Sequence, residues 1–168
     1  MSIIKLFIIN GHNQVGKDTF VNMLIDIAKE NKKNIINYST IDYVKNVAKF
    51  CGWNGIKNDK NRKFLCDLKN LLTEWNDISF KKCKEIIEQS KADAIFIHSR
   101  EPEEIKRFVD YYQATTILVE RNSIEICKSN SADLNVNNYS YDIVINNNRG
   151  LKELKEEAEI FYETFLRN

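Results

Sequence analysis

Between residues 11 and 17 the chain reads Gly-His-Asn-Gln-Val-Gly-Lys, directly after the apolar run Ile3 to Ile9 and directly before a stretch of helical period. Gly11 and Gly16 permit backbone angles and close approaches that a side chain would block, so successive N–H groups can point into one concave loop. A helix opening at the end of that loop adds the positive end of its dipole. Lys17 adds a point charge on a long, flexible stem. The order strand, G-x-x-x-x-G-K, helix therefore describes a loop built to hold phosphate. Gly11, His12, Asn13, Gln14, Val15, Gly16, Lys17, Asp18 and Thr19 are its candidate nucleotide-binding residues, with Lys17 the candidate catalytic cation.

The rest of the pattern supplies a frame for such a loop. Apolar runs of strand length at Ile3–Ile9, Ile35–Tyr38, Ala94–His98, Thr116–Glu120 and Ile143–Ile145 alternate with helical periods. Continuous rather than alternating apolar strands indicate a mostly parallel five-stranded sheet covered on both faces, an α/β fold. Phe20, Met23, Leu24, Ile27 and Ala28 share one helical face; Ile41, Val44, Val47, Ala48 and Cys51 share another. Phe64, Leu65, Leu68, Leu71, Leu72 and Trp75 form a stripe within Asp59–Asp77, and Leu151, Leu154, Ala158, Phe161 and Phe165 form one near the end, so both helices are expected to face a core. Pro102, the only proline, suits the first turn of a helix carrying Ile105, Phe108, Val109 and Tyr112.

Composition removes several alternatives. With 168 residues, 43% of them hydrophobic, the chain is expected to form one domain with a real core. Lys and Arg number 25 against 24 Asp and Glu, a formal charge of +1, which argues against a polynucleotide partner. The four cysteines, Cys51, Cys66, Cys83 and Cys127, lack any C-x-x-C spacing and read as buried small hydrophobes in a reducing compartment. Asn10 and Gly11 end the first apolar run far short of a membrane span, so a soluble, cytoplasmic protein is expected. The Asn/Ser-rich run Ser129–Ser140 reads equally as a mobile loop or as plain surface.

The loop Gly11 to Thr19, with its G-K-D-T ending, resembles that of phage-type deoxynucleoside monophosphate kinases in the nucleoside monophosphate kinase group. Further segments match in order: Ser39-Thr40-Ile41-Asp42-Tyr43-Val44-Lys45, Gly52-Trp53, Arg62-Lys63-Phe64-Leu65, Ser99-Arg100-Glu101-Pro102, and Tyr141 to Asn146. The resemblance implies a three-layer P-loop kinase fold, an acceptor-binding helical region at about 39–91 and a short lid at about 122–140. It implies ATP as donor, Mg²⁺ as cofactor and a small nucleotide as acceptor. Asp42, Lys45, Arg62 and Arg100 are carried over as acceptor contacts, and Arg121 is placed near the transferred group. As plain sequence, Arg100 reads also as an ion-pair partner of Glu103 or Glu104, and Arg121, Lys45 and Arg62 as solvated charges.

Two positions depart from the family. Asp18 stands where the general motif has Ser or Thr, and is the candidate to hold Mg²⁺ through water; Thr19, one residue on, either bonds a phosphate or caps the helix. His98 stands where the family has an aspartate that helps hold Mg²⁺, which prefers oxygen ligands. The segment 122–140 contains Lys128 but no arginine. Tyr38, Trp53 and Trp75 are candidates for base stacking, with Trp75 expected in the core. The readings left open are a nucleotide kinase, another small-molecule P-loop kinase resembling phosphomevalonate kinase, and a nucleotide-binding domain without catalysis. Oligomeric state is not legible.

Overall fold

The computed structural model describes residues 4–56, 58–122 and 135–167. The strands are β1 (Lys5–Asn10), β2 (Ile35–Ser39), β3 (Ala94–His98), β4 (Thr115–Glu120) and β5 (Ile143–Asn146). The helices are α1 (Lys17–Glu30), α2 (Asp42–Phe50), α3 (Asp59–Asn76), α4 (Ile78–Gln89), α5 (Pro102–Tyr112) and α6 (Leu151–Phe161), followed by a wider π turn at Tyr162–Leu166. The five strands form one sheet in the order β2-β3-β1-β4-β5. β1 pairs in parallel with β3, Phe7 opposite Phe96, and with β4, Phe7 opposite Thr115; β4 pairs in parallel with β5. All five expected strands are present, within a residue or two of their expected bounds.

Alternate residues of β1 explain why its run is apolar throughout: a strand presents successive side chains to opposite faces, and both faces here are covered. Phe7 and Ile9 join Phe96, Val119 and Ile145 in a core with Phe20, Leu24 and Ala28 of α1 and Leu154, Ala158 and Phe161 of α6. Ring pairs reinforce it, with Phe7 stacked on Phe96 at 4.9 Å and Phe161 edge-on to Phe20 at 5.6 Å. Leu6, Ile8, Ile95 and Ile97 are buried as well, and α5, which packs on β1 and β4, buries Ile105 and Phe108. This is the three-layer α/β arrangement expected of the sequence.

The chain forms two compact units, one of residues 1–37 with 91–168 and the other of residues 38–90. The second holds α2, α3 and α4, which pack on one another. Its core is thin. Val44, Ala48, Phe80, Cys83 and Ile87 are buried, but α3 buries no residue at all. The stripe on α3 is thus not core: Leu71 and Trp75 are 63% and 77% exposed. Two shorter helices, of 9 and 12 residues, offer too little opposing surface to bury a face of an 18-residue one.

Other expectations change for equally local reasons. Cys51 and Cys66 are exposed, the first just past the end of α2 and the second on α3; only Cys83 is buried among the described cysteines. Cys127 lies outside the described residues. The π turn rotates the end of the last helix, so Tyr162 and Leu166 are buried and Phe165 remains 36% exposed. Lys5 Nζ donates to the carbonyl of Phe165 at 2.6 Å and Lys33 Nζ to that of Arg167 at 2.9 Å, so two carbonyls freed by the helix end are satisfied. Of the Asn/Ser-rich run, residues 135–138 form a 3-10 turn with Val136 fully buried; residues 129–134 lie outside the described set. Among the described residues no helix is long and apolar enough to cross a membrane.

Candidate functional site

β1 lies between β3 and β4, where the strand order changes direction, and the crevice beyond the carboxyl ends of the strands at such a point is where open α/β sheets bind ligands. The loop 11–16 leaves β1 at this position. Gly11 has φ +146°, and a Cβ there would stand 2.4 Å from the Val119 carbonyl oxygen. Gly16 has φ +102°, and its Cβ would stand 2.5 Å from Asn147 Nδ2. Both glycines are therefore required by close approach as well as by backbone conformation. Gln14 is also left-handed, at φ 63°.

Hydrogen bonds fix the loop from beneath. Asn10, with no exposed surface, accepts from the Gly11 N–H at 2.8 Å through Oδ1. Asn147, 6% exposed at the end of β5, donates through Nδ2 to the Val15 carbonyl at 2.8 Å. Lys17 Nζ donates to the carbonyls of Gly11 at 2.6 Å and His12 at 2.7 Å, which folds its stem back over the loop and holds the ammonium at it. α1 starts with Gly16 as its N-cap and no side-chain cap, so Thr19 does not cap the helix. The backbone amides of that first turn are the groups that a phosphate takes up at a helix start.

Around the loop the described residues bring together several polar side chains of the same unit. His98, at the end of β3, has Nε2 2.7 Å from Asn37 Oδ1 and 3.7 Å from Asp18 Oδ1. An amide oxygen only accepts, so Nε2 carries the proton in this contact. Asp18 itself is open, its side chain 82% exposed in the first turn of α1. Arg100 is half-buried two residues past β3. The Ser99 hydroxyl lies 2.5 Å from Glu104 Oε2. Arg121, the residue after β4, lines a cavity of about 240 Å³ with His12, Val15, Glu120, Asn122 and Asn137. Both ring nitrogens of His12 are buried and have no hydrogen-bond partner.

Mg²⁺ takes oxygen ligands, keeps several waters and is commonly held by one or two carboxylates together with nucleotide phosphates. The open Asp18 carboxylate beside the loop fits that mode, whereas the His98 ring, engaged by Asn37, does not. No cluster of three or more His, Cys, Asp or Glu that could enclose a metal occurs among the described residues.

Asp42, Lys45 and Arg62 belong to the unit of residues 38–90. Asp42 accepts from the Ser39 N–H at 2.9 Å and pairs with Lys45 Nζ at 2.9 Å. Arg62 reaches Asp59 at 4.0 Å on α3, an exposed pair of little energetic weight. Within the same unit burial, with the negative groups Asp42 and Glu85 and the Cys83 thiol as smaller causes, pushes the Tyr38 phenol up to about 12. Trp53 is partly buried and its indole nitrogen has no partner; Trp75 is exposed.

The buried asparagines are the site residues that motif reading misses. Asn10 immediately precedes the loop and Asn147 lies 132 positions after Val15, just past β5, so only the fold joins Asn147 to it. The sole signal is that Asn10 interrupts an otherwise apolar strand.

No protein-family model matches this chain, and no curated protein does. Solved structures do. Shikimate kinase from Aquifex aeolicus vf5 superposes with a TM-score of 0.52 over 97% of this chain and 99% of its own, at 11% identity. FlhF complexed with GMPPNP/Mg(2+) gives a TM-score of 0.45 over 93% of this chain and 62% of its own, at 14% identity. The first likeness, at that identity, speaks to fold: a five-stranded parallel sheet flanked by helices, as in a P-loop kinase.

Proposed function

We propose that the chain is a phosphotransferase that moves the terminal phosphoryl group of ATP to a small acceptor, and that the acceptor is a (deoxy)nucleoside monophosphate. The observation that carries this reading is the loop itself: two glycines that nothing larger could replace, a helix start beyond them, and Lys17 held over the loop by two of its carbonyls. The loop amides and Lys17 bind the donor phosphates. On arrival of an anion the Lys17 ammonium exchanges neutral carbonyl partners for charged oxygens, which are the stronger ones. Arg100 and Arg121 follow strands that flank β1 and supply charge to the acceptor phosphate and to the transferred group. Asp18 would hold Mg²⁺ through water, and the ion would supply charge neutralisation at the donor phosphates.

An oxygen of the acceptor phosphate forms the new bond to the γ-phosphorus while the bond to the β,γ-bridging oxygen breaks and ADP departs. Such a nucleophile is already anionic, so no strong base is needed. His98, donating to Asn37, is consistent with that economy. Asp42, Lys45 and Arg62 are proposed as acceptor contacts on the strength of the sequence resemblance alone.

One observation favours a second acceptor class. The His98 ring stands 3.7 Å from the Asp18 carboxylate, and an imidazole beside a carboxylate is the arrangement that would accept a proton from a hydroxyl. The shikimate kinase likeness points the same way, toward a hydroxyl-bearing acid as acceptor. Coupled ADP formation from Mg·ATP, run with deoxy- and ribonucleoside monophosphates, phosphomevalonate and shikimate, separates the classes. Turnover on one nucleotide, reduced about 10²-fold or more in Lys17→Ala, supports the main reading. Turnover on shikimate replaces it with the second, turnover on phosphomevalonate keeps a phosphate as the nucleophile but moves the acceptor outside the nucleotides, and ATP binding with silence on every acceptor leaves a binding domain.

A further inference from the structure

We infer that Asn10 and Tyr141 form a positioning link, buried at Asn10 and half-buried at Tyr141, that ties the phosphate loop, the Arg100 backbone and the chain at 135–141 into one unit. The inference rests on the nucleotide-binding reading for its consequence and on geometry for its existence. Asn10 is fully buried and its side-chain amide is used at both ends: Oδ1 accepts from the first amide of the loop, Gly11 N–H, at 2.8 Å. Nδ2 donates to the Tyr141 hydroxyl at 2.7 Å and makes a longer 3.4 Å contact to the Arg100 carbonyl. The Tyr141 hydroxyl passes the chain on, donating to the Val136 carbonyl at 2.9 Å.

The direction of every bond is determined. A backbone N–H can only donate to Asn10 Oδ1, so the amide nitrogen must face Tyr141, and the phenol must then donate to Val136. Only an amide offers an acceptor and donors from one short side chain at this position. Aspartate would supply the acceptor and no donor; serine would not span the distance. Burial pushes the Tyr141 phenol up to about 12, so the hydroxyl keeps its proton throughout the neutral range. A second contact supports the same docking, since Asn135 Nδ2 donates to Glu101 Oε2 at 3.3 Å, next to Arg100. Val136 is fully buried between these two anchors.

The chain of hydrogen bonds holds its members in one arrangement, because breaking it at the fully buried Asn10 strands a polar group away from water. The link thus makes the position of Arg100 depend on the conformation of the loop. Asn10 and Tyr141 are positioning residues: neither is placed against the reacting atoms.

The test uses Tyr141→Phe in the full chain, which keeps the ring and removes the hydroxyl, with Asn10→Ala as the larger second lesion. Amide NMR of the protein without nucleotide reads the link directly. Resonances of Gly11, Arg100 and Val136 are expected to shift together in Tyr141→Phe, and exchange of the Gly11 amide to quicken about two- to tenfold, while Ile95 to Ile97 stay unchanged. Isothermal titration with Mg·ATP then reads its consequence, an affinity weakened about two- to tenfold. Changes confined to Val136 and Tyr141 would overturn the link and leave the nucleotide reading standing. No Mg·ATP binding by the unaltered chain would overturn the nucleotide reading, with the link still decided by the Gly11 and Arg100 amides. A shift spread evenly through β1 and β3 would mark Tyr141 as ordinary packing and also overturn it.

Discussion

The two compact units bury different kinds of residue, and the contrast separates what must be rigid from what need not be. In the unit of residues 1–37 and 91–168, β1 and β3 are buried almost end to end and even the polar residues beneath the loop, Asn10 and Asn147, have at most 6% exposure. In the unit of residues 38–90 an entire helix, α3, has no fully buried residue, its Leu65, Leu68 and Leu72 only half-buried, and carries Trp75 into solvent. A phosphate cradle made of backbone amides works only if those amides are fixed in advance, and fixing them takes close packing and satisfied buried polar groups. A helical unit with a thin core opens locally at lower cost.

The contrast is sharpest at Gly11. Alanine there would place a methyl 2.4 Å from the Val119 carbonyl oxygen at a φ of +146°, and a backbone oxygen inside a sheet has nowhere to go. A loss of about 3 kcal/mol or more is expected, read as a fall of roughly 6–12 °C in thermal midpoint. Gly52 offers the matched control in the other unit. Its φ is +89° but a Cβ there would meet nothing within 4 Å, so Gly52→Ala should cost only the backbone strain, about 1 kcal/mol. Equal losses at the two glycines would break the comparison.

Asn147→Ala comes next. It leaves the buried Val15 carbonyl without its donor, at an expected cost of about 1–3 kcal/mol in chemical unfolding, and it frees the loop where Gly16 touches the same side chain. Nucleotide affinity should fall with stability. A variant that loses stability but binds Mg·ATP as before would show that the loop does not depend on this anchor.

Alkaline titration probes both units at once. Burial holds Tyr141 in the first and Tyr38 in the second at about 12, above the ordinary 10.0. An acid whose folded value is raised favours the folded state while neutral. Its stabilisation is therefore whole below pH about 10 and is lost as pH rises from about 10 to about 12. Unfolding midpoints followed across that window should decline in the unaltered chain, and the decline should lessen in Tyr141→Phe and in Tyr38→Phe. A flat profile would mean that neither phenol is held away from water.

What could be read from the sequence follows the same division. The strands were legible because burial on both faces leaves uninterrupted apolar runs, and the loop because its glycines and lysine keep fixed spacing. α4 was harder: Phe80, Cys83 and Ile87 hold a helical period, but Lys81, Lys82, Lys84, Glu85 and Glu88 crowd between them and the stripe is narrow. The π turn after Phe161 leaves no periodic mark at all, since it shifts the buried set by one residue at the very end. The anchors of the loop were illegible for another reason. Asn10 and Asn147 act through contacts with Tyr141 and Val15, each more than 130 residues distant, and a lone asparagine has no motif.

The smallest effect is expected where the sequence pattern misleads most. Phe64, Leu68, Leu71 and Trp75 recur every three or four residues, as in a core helix, yet Trp75 is 77% exposed and Leu71 63%. A side chain that stays in water on folding gains little from the folded state, so Trp75→Ala should change unfolding free energy by no more than about 0.5 kcal/mol. Phe20→Ala, from the fully buried face of α1, should cost about 3–5 kcal/mol by comparison. Denaturant unfolding at several protein concentrations decides the matter. A loss at Trp75 near that of Phe20 at every concentration would mean that α3 is packed after all; a loss that grows with concentration would mean that the exposed stripe is covered by another copy of the chain.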